Sequence, residues 1–135
     1  MTSYVLDSYA LLAFFRNETG ADAVEALLNE AAEDKNELYL ATVNAGEVFY
    51  MSSRKDGLKK AAIAWEAMLK FPLHFVTADL KLSLAAAKLK ATYKLSYADA
   101  FAAALTIDKK AILITGDKEF ENLRDVKDFT VKYIV

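Results

Sequence analysis

Five short apolar runs, separated by segments of helical periodicity, constrain this chain more than any other feature. The β-like runs fall at residues 4–6, 38–41, 74–77, 111–115 and 130–135. Between them the spacing of apolar residues predicts helices over 9–16, 21–33, 45–54, 58–69, 80–93 and 97–108, with a short helix after Asp117. Strands separated by helical pairs predict an α/β fold of three layers, with a central parallel sheet of about five strands covered by helices on both faces. The run "AILIT" is apolar throughout, as a strand buried on both faces should be. Right-handed crossovers then place the C-terminal ends of all strands along one edge, where open α/β sheets bind their ligands. With one proline, four glycines and no linker or repeat, residues 1–135 read as a single domain.

Composition narrows the chemistry. The 55% hydrophobic and 27% charged content is that of a soluble globular chain. No apolar run approaches the ~20 residues needed to cross a bilayer, so no membrane role is expected. The opening "MTSYVLDSYALLAFFR" lacks a basic leader and is interrupted by Asp7, so it reads as structure rather than a signal peptide. Zero cysteines exclude disulfides, thiolate nucleophiles and Cys-ligated metals, and fit a reducing cytoplasm. The one histidine, His74, lies in the strand-like "LHFVT", where a packed or edge imidazole is expected. What remains for chemistry is oxygen, the donor type that hard cations such as Mg²⁺ or Mn²⁺ prefer. A net charge of −2 gives no bulk attraction for polyanions, so binding nucleic acid would need local lysines and a metal.

Four carboxylates are expected at the binding edge. Asp7 follows the first strand and Asp117 follows "AILITG". Each also fits an ordinary helix N-cap. Glu47 falls in the first turns of the helix after the second strand, where Asn44 and Glu47 fit a capping box. Ser96 and Asp99 in "SYAD" fit the same pattern. Yet Ala100 to Leu105 are all apolar, which places Asp99 at the mouth of a packed interior. An ionised carboxylate there is costly unless a cation or strong donors meet it. Four such acids without paired arginines repel one another, and a divalent cation is the usual remedy.

The stretches "YVLDSYALLAFF", "NAGEVFY", "LSYADAFAAAL" and "ITGDKEF", in this order from Tyr4 to Phe120, resemble the PIN-domain nucleases. The likeness is greatest to the small VapC-type ribonuclease toxins of toxin–antitoxin pairs. The resemblance implies a PIN-like fold and an acidic Mg²⁺ or Mn²⁺ site made by Asp7, Glu47, Asp99 and Asp117. It also implies RNA hydrolysis, inhibition by a cognate antitoxin, and a homodimer.

On that reading Asp7 and Asp99 hold the principal cation, Asp117 and Glu47 complete the site, and Glu47 or Asp117 accepts the proton of the attacking water. Thr115 and Asn44 are candidates to orient the acids, with purely structural roles as the alternative. Ser8 is a further candidate, for which a cap or turn role is favoured. Arg16, Lys88, Lys90 and Lys94 flank the motifs and are candidates to grip phosphates. Phe14, Phe15, Phe49 and Tyr50 read as core or interface rather than base-stacking residues. Trp65 and Met68 fit either core or an apolar groove for an antitoxin peptide. The competing readings are a PIN-like module that binds RNA or protein without cutting, and a Mg²⁺-dependent phosphatase or phosphoacceptor domain. The latter needs a paired Asp-x-Asp, and "LDSYA" offers one Asp.

Overall fold

The computed structural model describes all 135 residues. Strands β1 (Thr2–Leu6), β2 (Asn36–Ala41), β3 (Leu73–Val76), β4 (Ile112–Thr115) and β5 (Thr130–Tyr133) form one sheet in the order β3-β2-β1-β4-β5. Every neighbouring pair is parallel. The connections hold six α-helices: α1 (Ser8–Phe15), α2 (Ala21–Ala32), α3 (Thr42–Asp56), α4 (Leu58–Leu69), α5 (Leu80–Thr92) and α6 (Tyr97–Asp108). A 3-10 helix, Lys118–Leu123, follows β4. The five strands and six helices expected from periodicity are all present.

Alternation along the strands divides the core into two layers. Val5 and Leu113 join the apolar cluster beneath α5 and α6. Their neighbours Leu6 and Ile114 join the cluster beneath α1, α2, α3 and α4. Helix α6 is buried from Asp99 through Thr106 without a break. Its run of alanines lets it lie close to the sheet with other helices against its flanks. Met68 is fully buried, and Phe14, Phe15 and Phe71 pack ring to ring at 5.5–5.8 Å, so these residues serve the core. His74 sits on edge strand β3 with its ring 5.2 Å from that of Tyr39. No helix is long and apolar enough to cross a membrane.

The strand order places the topological switch between β1 and β4. Connections leaving these two neighbours run to opposite sides of the sheet, which opens a crevice at their C-terminal ends. Asp7 directly follows β1, and Asp117 stands two residues beyond β4.

The start of α3 differs from expectation. Strand β2 passes into the helix with no intervening loop, so α3 begins at Thr42, and Ala41 holds the cap position without a side-chain bond. Asn44 therefore does not cap the helix, and the Asn44–Glu47 capping box does not form. Instead Asn44 is buried inside the first turn. Its amide donates to Glu47 Oε1 at 3.1 Å and to the Ala98 carbonyl at 3.2 Å, tying α3 to α6 beside Asp99.

Candidate active site

Asp7, Glu47, Asp99 and Asp117, scattered over 111 positions of sequence, line one pocket of about 370 Å³. Local structure explains each placement. Asp7 Oδ1 accepts from the Ala10 amide at 2.9 Å, which caps α1. Its other oxygen accepts from the Thr115 hydroxyl at the end of β4. Thr115 Oγ1 in turn accepts from the Asp117 amide at 2.9 Å, so one side chain links the ends of β1 and β4. Gly116 lies between them because a Cβ there would run into the Tyr9 ring, which packs against the backbone at the pocket rim.

Asp99 is placed by the first turn of α6. Ser96 caps the helix by accepting from the Asp99 amide at 3.1 Å. In a complete capping box the Asp99 carboxylate would return a bond to the Ser96 amide. That amide donates instead to Glu119 Oε1 at 2.8 Å. The box is thus closed by another element, and the Asp99 carboxylate is left to the pocket. Asp117 Oδ1 accepts from the Glu119 amide at 2.9 Å and starts the 3-10 helix. Asn122 donates to the Lys94 carbonyl at 2.7 Å and fastens the same helix to the loop before α6.

These bonds bring one acid to the pocket that sequence reasoning missed. Carboxylate oxygens of Asp99, Asp117 and Glu119 lie within 4.8 Å of one another, with Asp7 and Glu47 lining the same pocket. Glu119 is two residues beyond Asp117, a spacing that reads as an ordinary acidic first turn. The signal that could have found it is the Asp-x-Glu pair directly after a central strand. Glu18 is a sixth acid on the lining.

The electrostatics are those of crowded, desolvated acids. Burial pushes the Asp7 carboxyl up to about 7, although the Thr115 and Ala10 bonds pull in the other direction, and Asp117 and Glu47 add to the rise. Asp99 is also raised well above the usual carboxylate range, first by burial and then by its hydrogen bond with Asp117 and the charges around it. Near neutral pH, without a cation, this group of acids retains protons.

The other sequence candidates are dispersed. Ser8 lines the pocket, and Arg16 is the one basic residue that does. Lys90 donates to the Leu95 carbonyl at 2.9 Å and acts as a tie between α5 and the loop before α6. Lys88 and Lys94 are exposed and do not line the pocket.

The sequence profile of the PIN domain matches residues 4–126. The chain belongs to the PIN-domain family. No curated protein matches the sequence, whereas solved structures share its fold. Rickettsia felis VapBC2, bound to a DNA fragment from its promoter, is 14% identical with a TM-score of 0.77, covering 98% of each chain. Mycobacterium tuberculosis VapC20, a toxin that cleaves the sarcin–ricin loop, is 15% identical with a TM-score of 0.72, covering 87% of this chain and 92% of its own. FitAcB of Neisseria gonorrhoeae is 16% identical with a TM-score of 0.67, covering 95% of each chain.

The donor set of this PIN domain fits a hard divalent cation. Every candidate ligand is a carboxylate oxygen, three of them converge within 4.8 Å, and the one histidine stands on the far edge strand. The only cation on the lining, Arg16, is already paired with Asp56.

Proposed function

We propose that the protein is a Mg²⁺- or Mn²⁺-dependent endoribonuclease, the toxin of a VapBC-type pair. The observation that carries this reading is the convergence of Asp7, Glu47, Asp99, Asp117 and Glu119 on one pocket at the sheet's switch point, with Asp99 and Asp117 facing each other rather than a basic partner. Cleavage of the sarcin–ricin loop by the similar VapC20 supports RNA as the substrate class. The similar VapBC complexes support a cognate antitoxin as partner. A homodimer working in the cytoplasm belongs to the same reading.

Asp7, Asp99 and Asp117, with Glu47 and Glu119, are the residues that would hold the cation. When bound, the cation offsets negative charge on the scissile phosphate and makes a water more acidic. Thr115 fixes the rotamer of Asp7 and the position of Asp117 at once. Asn44 fixes Glu47. Glu47 or Asp117 accepts the proton of the attacking water. Ser96 and Glu119 hold the first turn of α6, so Asp99 keeps its aim without spending its own oxygens on the cap.

The test is cleavage of structured RNA by the wild-type chain in Mg²⁺, Mn²⁺ and EDTA, beside Asp99→Asn. Cleavage in either metal, none in EDTA and none by the variant is the expected pattern. Metal-independent cutting, or full activity of Asp99→Asn, contradicts it. Tight RNA binding without any cleavage identifies a binding module instead.

A further inference from the structure

Arg16 forms part of the wall between the acidic pocket and a second cavity of about 450 Å³ formed by α1, α3 and α4. Its Nε donates to Asp56 Oδ2 at 3.1 Å, and Nη2 donates to the Met51 carbonyl at 3.4 Å. The Ser52 hydroxyl donates to the same Asp56 oxygen at 3.3 Å. These bonds fix the guanidinium at the rim of the acidic pocket without engaging the carboxylates inside it. Arginine carries five N–H donors, so some remain for a ligand.

The second cavity has the opposite character. Phe15, Ile63 and Lys60 contribute to its lining, and its one acid, Asp56, is already taken by Arg16. Beside it runs the α3–α4 turn, "RKDGLKK" over residues 54–60, in which Arg54, Lys55, Lys59 and Lys60 are all exposed. Gly57 makes the reversal at φ 95°, a conformation that other residues rarely adopt. Arg54 and Lys55 lie in the last turn of α3, where cations suit the helix dipole. Lys59 and Lys60 lie in the first turn of α4, where cations oppose it and no acid is present. Neither lysine is in a salt bridge. Two unpaired charges at the wrong end of a helix weaken it, so helix stability does not explain them.

We propose that this cavity and the basic turn form a subsite for the RNA strand flanking the scissile bond, an inference that rests on the ribonuclease reading above. Arg16 takes the phosphate next to the bond that is cut, Lys59 and Lys60 take those that follow, and the partly apolar cavity receives the nucleoside between. Continuity with the acidic pocket through Arg16 selects the substrate as occupant over a protein partner. It also explains how a chain of net charge −2 brings a polyanion to a pocket lined by acids: unpaired cations lie on one side of it.

The experiment compares the full-length wild type with the double variant Lys59→Glu/Lys60→Glu, in Mg²⁺. The two substrates are a structured RNA and bis(p-nitrophenyl) phosphate, a diester too small to reach the turn. The double variant should raise KM for RNA by about tenfold or more and lower the slope of log K against log salt by about 1 to 2. It should leave kcat and hydrolysis of the small diester unchanged and should melt no lower than the wild type. Arg16→Ala should raise KM for RNA further. Unchanged KM and salt slope in the double variant overturn the subsite. So does a variant that loses binding of an inhibitory protein while RNA kinetics stay the same. A wild type that cuts neither substrate overturns the ribonuclease reading itself, and the subsite with it. Cutting of RNA that is indifferent to Lys59 and Lys60 removes the subsite alone.

Discussion

Asp7 and Asp99 are both buried acids lining one pocket, yet their surroundings differ. Asp7 is met by two donors, the Ala10 amide and the Thr115 hydroxyl. Asp99 has its helix-capping duty done by Ser96 and Glu119, and its carboxylate faces Asp117. The Asp7 side is therefore fixed by hydrogen bonds whether or not a cation is bound. The Asp99 side keeps a like-charge contact that only a proton or a cation relieves. The fold thus combines a rigid anchor with an unsatisfied partner, an arrangement suited to binding a metal without rebuilding the site.

The largest test of this contrast is Asp99→Asn. RNA cleavage should fall by at least about a hundredfold, while the melting temperature in EDTA should rise because Asn can sit beside Asp117 without a proton being bound on folding. A variant that melts lower in EDTA would place Asp99 with Asp7 among the satisfied acids. Thr115→Val attacks the other side. It removes the donor to Asp7 and the acceptor for the Asp117 amide, and should lower stability by about 1–3 kcal/mol and metal affinity by about 10–100-fold. Chemical denaturation and metal titration check the two effects.

pH acts on both sides through linkage. Asp7 titrates at about 7 in the fold against 3.8 in its absence. Between those values the folded state binds the extra proton, so this group's contribution is complete below about pH 4 and is lost as pH rises through 7. Asp99 shifts in the same direction. In EDTA, stability should fall across this window by up to about 1.4 kcal/mol per pH unit for each proton lost. Saturating Mg²⁺ should flatten the decline, and thermal melts across pH with and without metal measure both. The smallest effect is expected for Ser96→Ala, which loses the cap of α6 at a cost of about 1 kcal/mol. Activity should drop only as far as the aim of Asp99 depends on that first turn.

The layered fold was legible because short apolar runs alternate in order with stretches of helical periodicity; that Val5 and Leu6 face opposite layers emerges only in the packed structure. The start of α3 was not legible. Ala41 and Thr42 carry no turn residue between strand and helix, and Asn44 imitates a cap while pointing inward to Glu47. Four of the pocket's acids stood out as carboxylates at strand ends or beside an apolar run. Glu119 did not, because its Asp-x-Glu spacing reads as an ordinary acidic first turn and the bond that holds it, to Ser96 23 positions earlier, is non-local. The pairing of Arg16 with Asp56 spans 40 positions and was hidden for the same reason.

Calorimetric titration of Mn²⁺ into the wild type and Asp99→Asn, in two buffers of different ionisation enthalpy near pH 7, measures whether the Asp99 side of the pocket exchanges a proton for a cation. The wild type should bind Mn²⁺ and release protons on binding, and Asp99→Asn should lose most of the affinity and most of the proton release. Equal affinity and equal proton release in the two proteins would contradict the account.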